Sequence, residues 1–236
     1  MAEPVERILL VREDAQLLER DFREHLPLIR RAAAHAESML TRRPEIIVYG
    51  KKCNQPRDVG FFSDVSVGYF YSRQVMRALP LSLDLRELLN TVNVAYDAHF
   101  NGILVNKYCD GSDNVGRHSD SEFALDKHAG VVALSLGAVR TFRLRSTEDD
   151  KIVMDVPARE GFALQMRGAK FQSTFKHEIP VEKKVAAPRI SFTFRRHLPD
   201  QERSLIALIT RIDHDSVGRR GRSRTPSVRD RGPLKG

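Results

Sequence analysis

The chain has no tryptophan, only two cysteines, and no apolar run of about 18 residues. Without such a run no bilayer-spanning helix is expected. Cys53 and Cys109 are too few for a disulfide framework or a cysteine-rich zinc cluster, and they suit a reducing compartment. The opening residues Met1 to Arg7 lack the basic and apolar regions of a secretory signal. The expectation is an intracellular protein, nuclear or cytoplasmic. Aromatic residues make up 7% of the chain, 12 Phe and 5 Tyr, so any surface that stacks on a ligand must come from few positions.

Acidic side chains are also in deficit: 31 Asp and Glu stand against 39 Lys and Arg, a net charge of +8. Much of the excess lies in residues 215–236, where seven basic side chains face only Asp215 and Asp230. That stretch is rich in Arg, Ser, Gly and Pro and has little to bury, which predicts a disordered basic tail. Such a tail can touch phosphate backbones or carry a nuclear address, or it can simply be solvated. The remaining residues suffice for one sizeable core. Apolar spacing at Leu17, Leu18, Phe22, Leu26, Ile29 and Ala33 predicts a helix from Glu13 to about Leu40, broken or kinked at Leu26-Pro27, within an N-terminal helical segment 1–44. Residues 45–100 read as short β runs, 46–49 and 67–71, followed by a helix from Asp84 to about Phe100. Residues 101–198 are dominated by strands at 102–108, 131–136, 139–145, 151–156, 161–166, 171–177 and 189–196, and a last helix is expected within 199–214. The fold class is mainly β with flanking helices, and many short strands separated by turns point to a barrel or sandwich.

Three separated segments can meet at one metal ion. They are His118-Ser119-Asp120, Lys176-His177-Glu178 and the strand Arg189 to Arg195. In extended backbone His118 and Asp120 point the same way, and a sheet must wind back to bring His177 to them. Two imidazoles and one carboxylate hold a metal on one face and leave the opposite face open, the facial triad of non-haem Fe(II) oxygenases. HxD alone is a weak signal; HxD with a later histidine and a basic strand is a stronger one. Taken singly, His118 also fits a solvated loop and His177 a core position.

The strand at 189–195 points to the co-substrate. Arg189, Ser191, Thr193 and Arg195 share one face, and Ile190, Phe192 and Phe194 share the other. If the apolar set meets a core, the polar set lines a cavity, and two inward arginines without an anion would be costly. A short dicarboxylate answers that cost. Asn106 and Tyr108 alternate onto one face of the strand 102–108 and can add hydrogen bonds to a carboxylate.

With these residues in view the chain resembles the AlkB family of Fe(II)/2-oxoglutarate nucleic-acid dealkylases over roughly residues 45–197. The resemblance is carried by Asn106-x-Tyr108, His118 to Glu122, Ala133 to Gly137, the strand at Met166, His177-x-x-Pro180 and Arg189 to Arg195. It looks closest to mammalian-type homologues that repair methylated DNA or RNA. It implies a double-stranded β-helix, or jelly roll, with Fe(II) on His118, Asp120 and His177, which are also the catalytic set. It implies 2-oxoglutarate held by Asn106, Tyr108, Arg189 and Arg195, with Ser191 and Thr193 beside them. Ser191 departs from the asparagine usual in the family. The implied reaction is oxidative demethylation of 1-methyladenine- or 3-methylcytosine-type bases in DNA or RNA, releasing formaldehyde and succinate. Tyr71 would stack on the flipped base opposite the His118 ring, and Tyr69 and Glu122 would bind its edge. Tyr49 would fill the vacated stack, with Arg42, Arg43, Lys51, Lys52 and Arg57 at phosphates. Each has a plainer reading: sheet packing for Tyr71, an exposed turn for Tyr49, a solvated face for the cations, and a pair with Arg117 or Lys127 for Glu122. The implied partner is nucleic acid, with no membrane and a monomeric protein. A dioxygenase acting on protein or a small molecule, or a non-catalytic nucleic-acid binder, are the competing readings.

Overall fold

The computed structural model describes residues 6–48, 51–71, 74–120 and 125–198. In chain order it forms β1 (Arg7–Arg12), β2 (Ala15–Asp21), a 3-10 turn (Arg23–His25), α1 (Leu26–Met39), β3 (Glu45–Val48), β4 (Lys51–Asn54), β5 (Asp58–Phe62), β6 (Gly68–Tyr71), β7 (Gln74–Arg77) and α2 (Leu83–Tyr96). It continues with β8 (Gly102–Tyr108), β9 (Val115–His118), β10 (Val131–Gly137), β11 (Arg140–Ser146), β12 (Ile152–Ala158), β13 (Phe162–Arg167), α3 (Phe171–Thr174), β14 (Phe175–Ile179) and β15 (Arg189–Arg195). A seven-stranded sheet in the order β1-β2-β13-β10-β15-β8-β5 faces a four-stranded sheet in the order β12-β11-β14-β9, and the pairings within both are antiparallel. This is the jelly roll expected. The hairpins β3–β4 and β6–β7 stand apart from both sheets.

Strand alternation divides the large sheet between two cores. Ile103, Val105, Val132, Leu134, Ile190, Phe192 and Phe194 pack outward against α1 and α2, meeting Ile29, Ala32, Leu85, Leu88 and Val92. The other face supplies Tyr108, Val131, Leu164 and Met166 to a cluster between the sheets, where they meet Phe142, Leu144, Phe175 and Ile179. Burial of Ile190, Phe192 and Phe194 fixes the register of β15. A slip by one residue would drive Arg189 and Arg195 into the helix layer.

The N-terminus corrects the sequence-based expectation. Residues 15–21 form β2, not the first half of a helix, and pair with β13 from Phe162↔Asp21 to Arg167↔Gln16. The Leu17-Leu18 pair suits a helix stripe or a strand buried on both faces. Pairing with β13 buries both leucines, so the tertiary partner overrides the local period. The helix begins only at Leu26, with Pro27 in its first turn, where a missing N–H costs nothing. The second helix is shorter than expected. The Ser82 hydroxyl caps it by accepting from Leu85 N at 3.2 Å, and Asp97 ends it in left-handed backbone at φ 45°. Expected residues 171–177 divide into α3 and β14, and β1, β5, β7 and β9 were not anticipated. No helix among the described residues is long and apolar enough to cross a membrane. The expected C-terminal helix and basic tail lie outside the described residues.

Candidate metal and co-substrate centre

The end of β9, the residues just beyond it and the middle of β14 bring the three ligands together. His118 and His177 are ladder partners, with ring centroids 4.3 Å apart. Asp120 follows two residues after His118 and is buried. His118 Nε2 lies 3.8 Å from Asp120 Oδ1, and His177 Nε2 lies 3.8 Å from Asp120 Oδ2. One ligand atom from each residue falls within a 4.8 Å group.

The surroundings prepare these groups to ligate. His118 Nδ1 sits 2.8 Å from the carbonyl oxygen of Gly116, so it carries the proton and leaves Nε2 with its lone pair. Phe142 stacks on the His177 ring at 5.3 Å and 18°. Burial lowers the pKa of both histidines, that of His177 to about 3 with the neighbouring His118 adding to the effect. Both rings are therefore neutral near pH 7. Burial disfavours the charge on Asp120, but Arg195, His177 and His118 together hold its carboxyl below the usual range. Asp120 Oδ2 has no hydrogen-bond partner among the described residues, although it is buried. Two neutral imidazoles and a carboxylate with an uncommitted oxygen fit a divalent iron ion.

On β15 the polar face points inward as expected, and the whole strand is buried. Arg195 Nη2 donates to Asp120 Oδ1 at 2.5 Å, and its guanidinium lies 5.1 Å from the centre of the Tyr69 ring. Arg189 Nη2 donates to the Ser135 hydroxyl at 2.9 Å. Its Nε and Nη1 have no hydrogen-bond partner among the described residues, and its side chain leans on the Tyr108 ring at 5.3 Å. Burial lowers its pKa, with Tyr108 opposing and Arg140 reinforcing the shift. A buried cation with two unused donors calls for an anion. Asn106 and Tyr108 on β8 pair across the ladder with Ser191 and Arg189. Ser191 and Thr193 line the same hollow, which has a volume of about 50 Å³. The charge, the donors and the position beside the triad fit 2-oxoglutarate. A larger chamber of about 360 Å³, between the end of α1 and the two hairpins, shares Arg57, Tyr69 and Leu104 with it.

The residues expected at a nucleic-acid substrate are placed unevenly. Tyr69 is buried and lines both spaces. Tyr49 and Glu122 lie outside the described residues, as does the side chain of Tyr71. Lys51 and Lys52 are exposed on β4, and Lys52 pairs with Glu45 at 2.7 Å. Arg57 departs from the expectation of a phosphate contact. It is buried, and its Nε donates to Asn106 Oδ1 at 2.8 Å, because the turn after β4 folds it under the chamber. Arg42 and Arg43 are both exposed, and Arg43 is tied to Asp113 at 2.7 Å.

Several residues escaped sequence reading. Gln172 accepts from the Asp120 backbone N–H at 2.7 Å. Arg140 is buried and binds Glu182, Asp110 O, Asp113 O and Pro180 O, which pins the turn before β9 to the segment that follows β14. His197 is buried 5.0 Å from the Phe61 ring. Burial, then Arg195, lowers its pKa to about 4. Only Ser135 had a signal in the sequence, through the segment Ala133 to Gly137.

The chain belongs to the 2OG-Fe(II) oxygenase superfamily, which matches residues 16–195. Its relatives there are AlkB homologues, as the motifs implied. It is 31% identical over 158 residues to human DNA oxidative demethylase ALKBH2, covering 64% of this chain and 60% of that protein. The bovine ALKBH2 match is 30% over 166 residues, covering 67% of this chain and 59% of that protein. The human alpha-ketoglutarate-dependent dioxygenase alkB homolog 3 is 33% identical over 155 residues, covering 62% of this chain and 53% of that protein. The chain thus spans a little over half the length of these relatives. A solved structure of OsALKBH1 shares the fold with a TM-score of 0.53 at 18% identity, over 79% of this chain and 100% of that one.

Proposed function

We propose that the protein is an Fe(II)/2-oxoglutarate-dependent dioxygenase that removes methyl groups from alkylated bases in DNA or RNA. The observation that carries this reading is the pair formed by the His118–Asp120–His177 cluster and the anion-seeking Arg189 in one small hollow. The relatives named as DNA oxidative demethylases direct it toward nucleic acid.

Iron and 2-oxoglutarate, when bound, supply the oxidation: O₂ and 2-oxoglutarate give succinate and CO₂, and one oxygen atom enters a C–H bond of the methyl group. The resulting N-hydroxymethyl group loses formaldehyde and returns the unmodified base. The chain's own residues bind and orient. Arg189, helped by Asn106 and Tyr108, holds a carboxylate of the co-substrate. Arg195 fixes the Asp120 carboxylate. Tyr69 forms a wall between the small hollow and the larger chamber, where a base turned out of its stack meets an aromatic ring. No protein acid or base is required for the oxidation, because the cofactor carries that chemistry. Selectivity begins before contact, since a methyl on a Watson–Crick nitrogen weakens pairing and makes that base cheaper to flip.

The test is mass spectrometry of oligonucleotides bearing 1-methyladenine or 3-methylcytosine, as DNA and RNA, single-stranded and paired, with and without iron. Iron-dependent loss of the methyl mass is the expected result. Succinate release stimulated by a peptide but not by any methylated oligonucleotide would overturn the nucleic-acid assignment. Failure to turn over 2-oxoglutarate at all would leave a binding protein on this scaffold.

A further inference from the structure

We propose that Gln172 is a positioning residue of the metal centre: by accepting the backbone N–H of Asp120, its side-chain carbonyl sets where that carboxylate stands relative to the two imidazoles. The proposal rests on the reading that His118, Asp120 and His177 hold the metal. The ladder between β9 and β14 reaches His118 opposite His177. Asp120 lies beyond the end of β9, so the sheet does not hold its main chain.

Two side-chain bonds take over. The Ser119 hydroxyl donates to Phe175 O at 2.9 Å, and Asp120 N donates to Gln172 Oε1 at 2.7 Å. Both partners lie on the continuous segment of α3 and β14 that leads to His177. The third ligand is thereby set against the second through Gln172. The segment is itself anchored, because Phe171 is buried between the sheets and its ring meets that of Phe175 at 5.3 Å. Gln172 Nε2 lies 3.8 Å from Met166 Sδ, which turns the amide so that its carbonyl faces Asp120. Arg195 holds Oδ1 of the same residue from the other side. Asp120 is thus fixed at both backbone and carboxylate, with Oδ2 left toward His177.

Groups that orient metal ligands typically change metal affinity by about 10- to 100-fold when removed. The experiment is an anaerobic titration of the full-length, metal-free protein with Mn(II), followed by electron paramagnetic resonance of the free ion. Wild type is compared with Gln172→Met, which keeps the bulk, and Gln172→Glu, which keeps the acceptor. Thermal melting of each metal-free protein is recorded in parallel. The expected result is Mn(II) binding at least about tenfold weaker in Gln172→Met, recovered in Gln172→Glu, with the metal-free Tm of both close to wild type. Equal Mn(II) affinity in Gln172→Met and wild type would overturn the proposal. So would a lowered metal-free Tm in Gln172→Met with no recovery of affinity in Gln172→Glu, since Gln172 would then serve only the fold. If wild type binds no Mn(II), the metal reading itself fails and the positioning role falls with it.

Discussion

Arg195 spends one of its donors on Asp120: Nη2 meets Oδ1 at 2.5 Å, and both side chains are buried. The arginine expected to grip the co-substrate is therefore also the counter-ion of a metal ligand. The contact leaves Oδ2 as the oxygen that turns toward His177. The two arginines of β15 are consequently unequal, one committed to the metal side and the other, Arg189, with donors in reserve.

Replacing Arg195 by Met leaves the Asp120 carboxylate buried without this partner. Removing one member of a buried pair costs about 3–5 kcal/mol, and the metal-free variant is expected to lose about that much at pH 7. The folded-state pKa of Asp120 is depressed, so the pair's contribution is present above the unfolded value of about 3.9 and is lost as pH falls through the folded value. The gap between variant and wild type should close in acid. Urea unfolding at pH 7 and pH 3.5 measures it, and an equal gap at both would refute the pairing.

Arg189→Met has the opposite profile. The native guanidinium is buried and bonded by a neutral hydroxyl, so an apolar side chain of similar length should leave the metal-free Tm unchanged or raise it. Binding of 2-oxoglutarate should weaken by at least about 100-fold, since two charge-assisted bonds are worth about 1.5–3 kcal/mol each. Calorimetric titration with 2-oxoglutarate alongside thermal melting separates the two effects.

His118→Ala removes one ligand at the half-buried edge of the site. Succinate release should stop, while a methylated oligonucleotide should still bind, weakened by no more than the about 1–3 kcal/mol of one base–aromatic stack. Fluorescence anisotropy with a labelled strand checks the second point. Turnover that persists in this variant would mean that His118 is not a ligand.

Acid sensitivity should depend on His197, whose pKa is lowered to about 4 by burial and then by Arg195. A histidine kept neutral in the fold stabilises fully above its unfolded value of about 6.5, and that stability drains as pH falls toward about 4. Between pH 7 and pH 5 the loss is about 2 kcal/mol for this one group. Half-buried His118 and buried His177 add losses of the same sign. His197→Leu gives up no hydrogen bond at Nε2, which has no partner among the described residues. Its metal-free Tm should therefore fall by less than that of wild type from pH 7 to pH 5, a difference of about 5 °C.

The site was more legible than the frame around it. His118, Asp120, Arg189 and Arg195 are recognisable because strand alternation converts spacing into facing, and β15 obeys that rule along its whole length. The N-terminal strand is ambiguous in the sequence because Leu17 and Leu18 satisfy two periods at once, and only pairing with β13 chooses between them. The family resemblance puts Arg57 at a phosphate. Its burial depends on Asn106, 49 positions away, offering an acceptor at 2.8 Å. Arg140, Gln172 and His197 have no local pattern, because what gives each its role is a neighbour distant in the chain.

By itself the sequence determined the donor types, their alternation on strands and the two-faced character of β15, since these follow from residue identity and the two-residue strand period. The tertiary structure alone decided that Arg195 belongs to Asp120, that Nε and Nη1 of Arg189 have no hydrogen-bond partner among the described residues, and that Gln172 ties the Asp120 backbone to the segment carrying His177. Hydrogen bonds act over about 3 Å. Which groups come that close is fixed only when both sheets, packed face to face, set the registers of strands far apart in the chain.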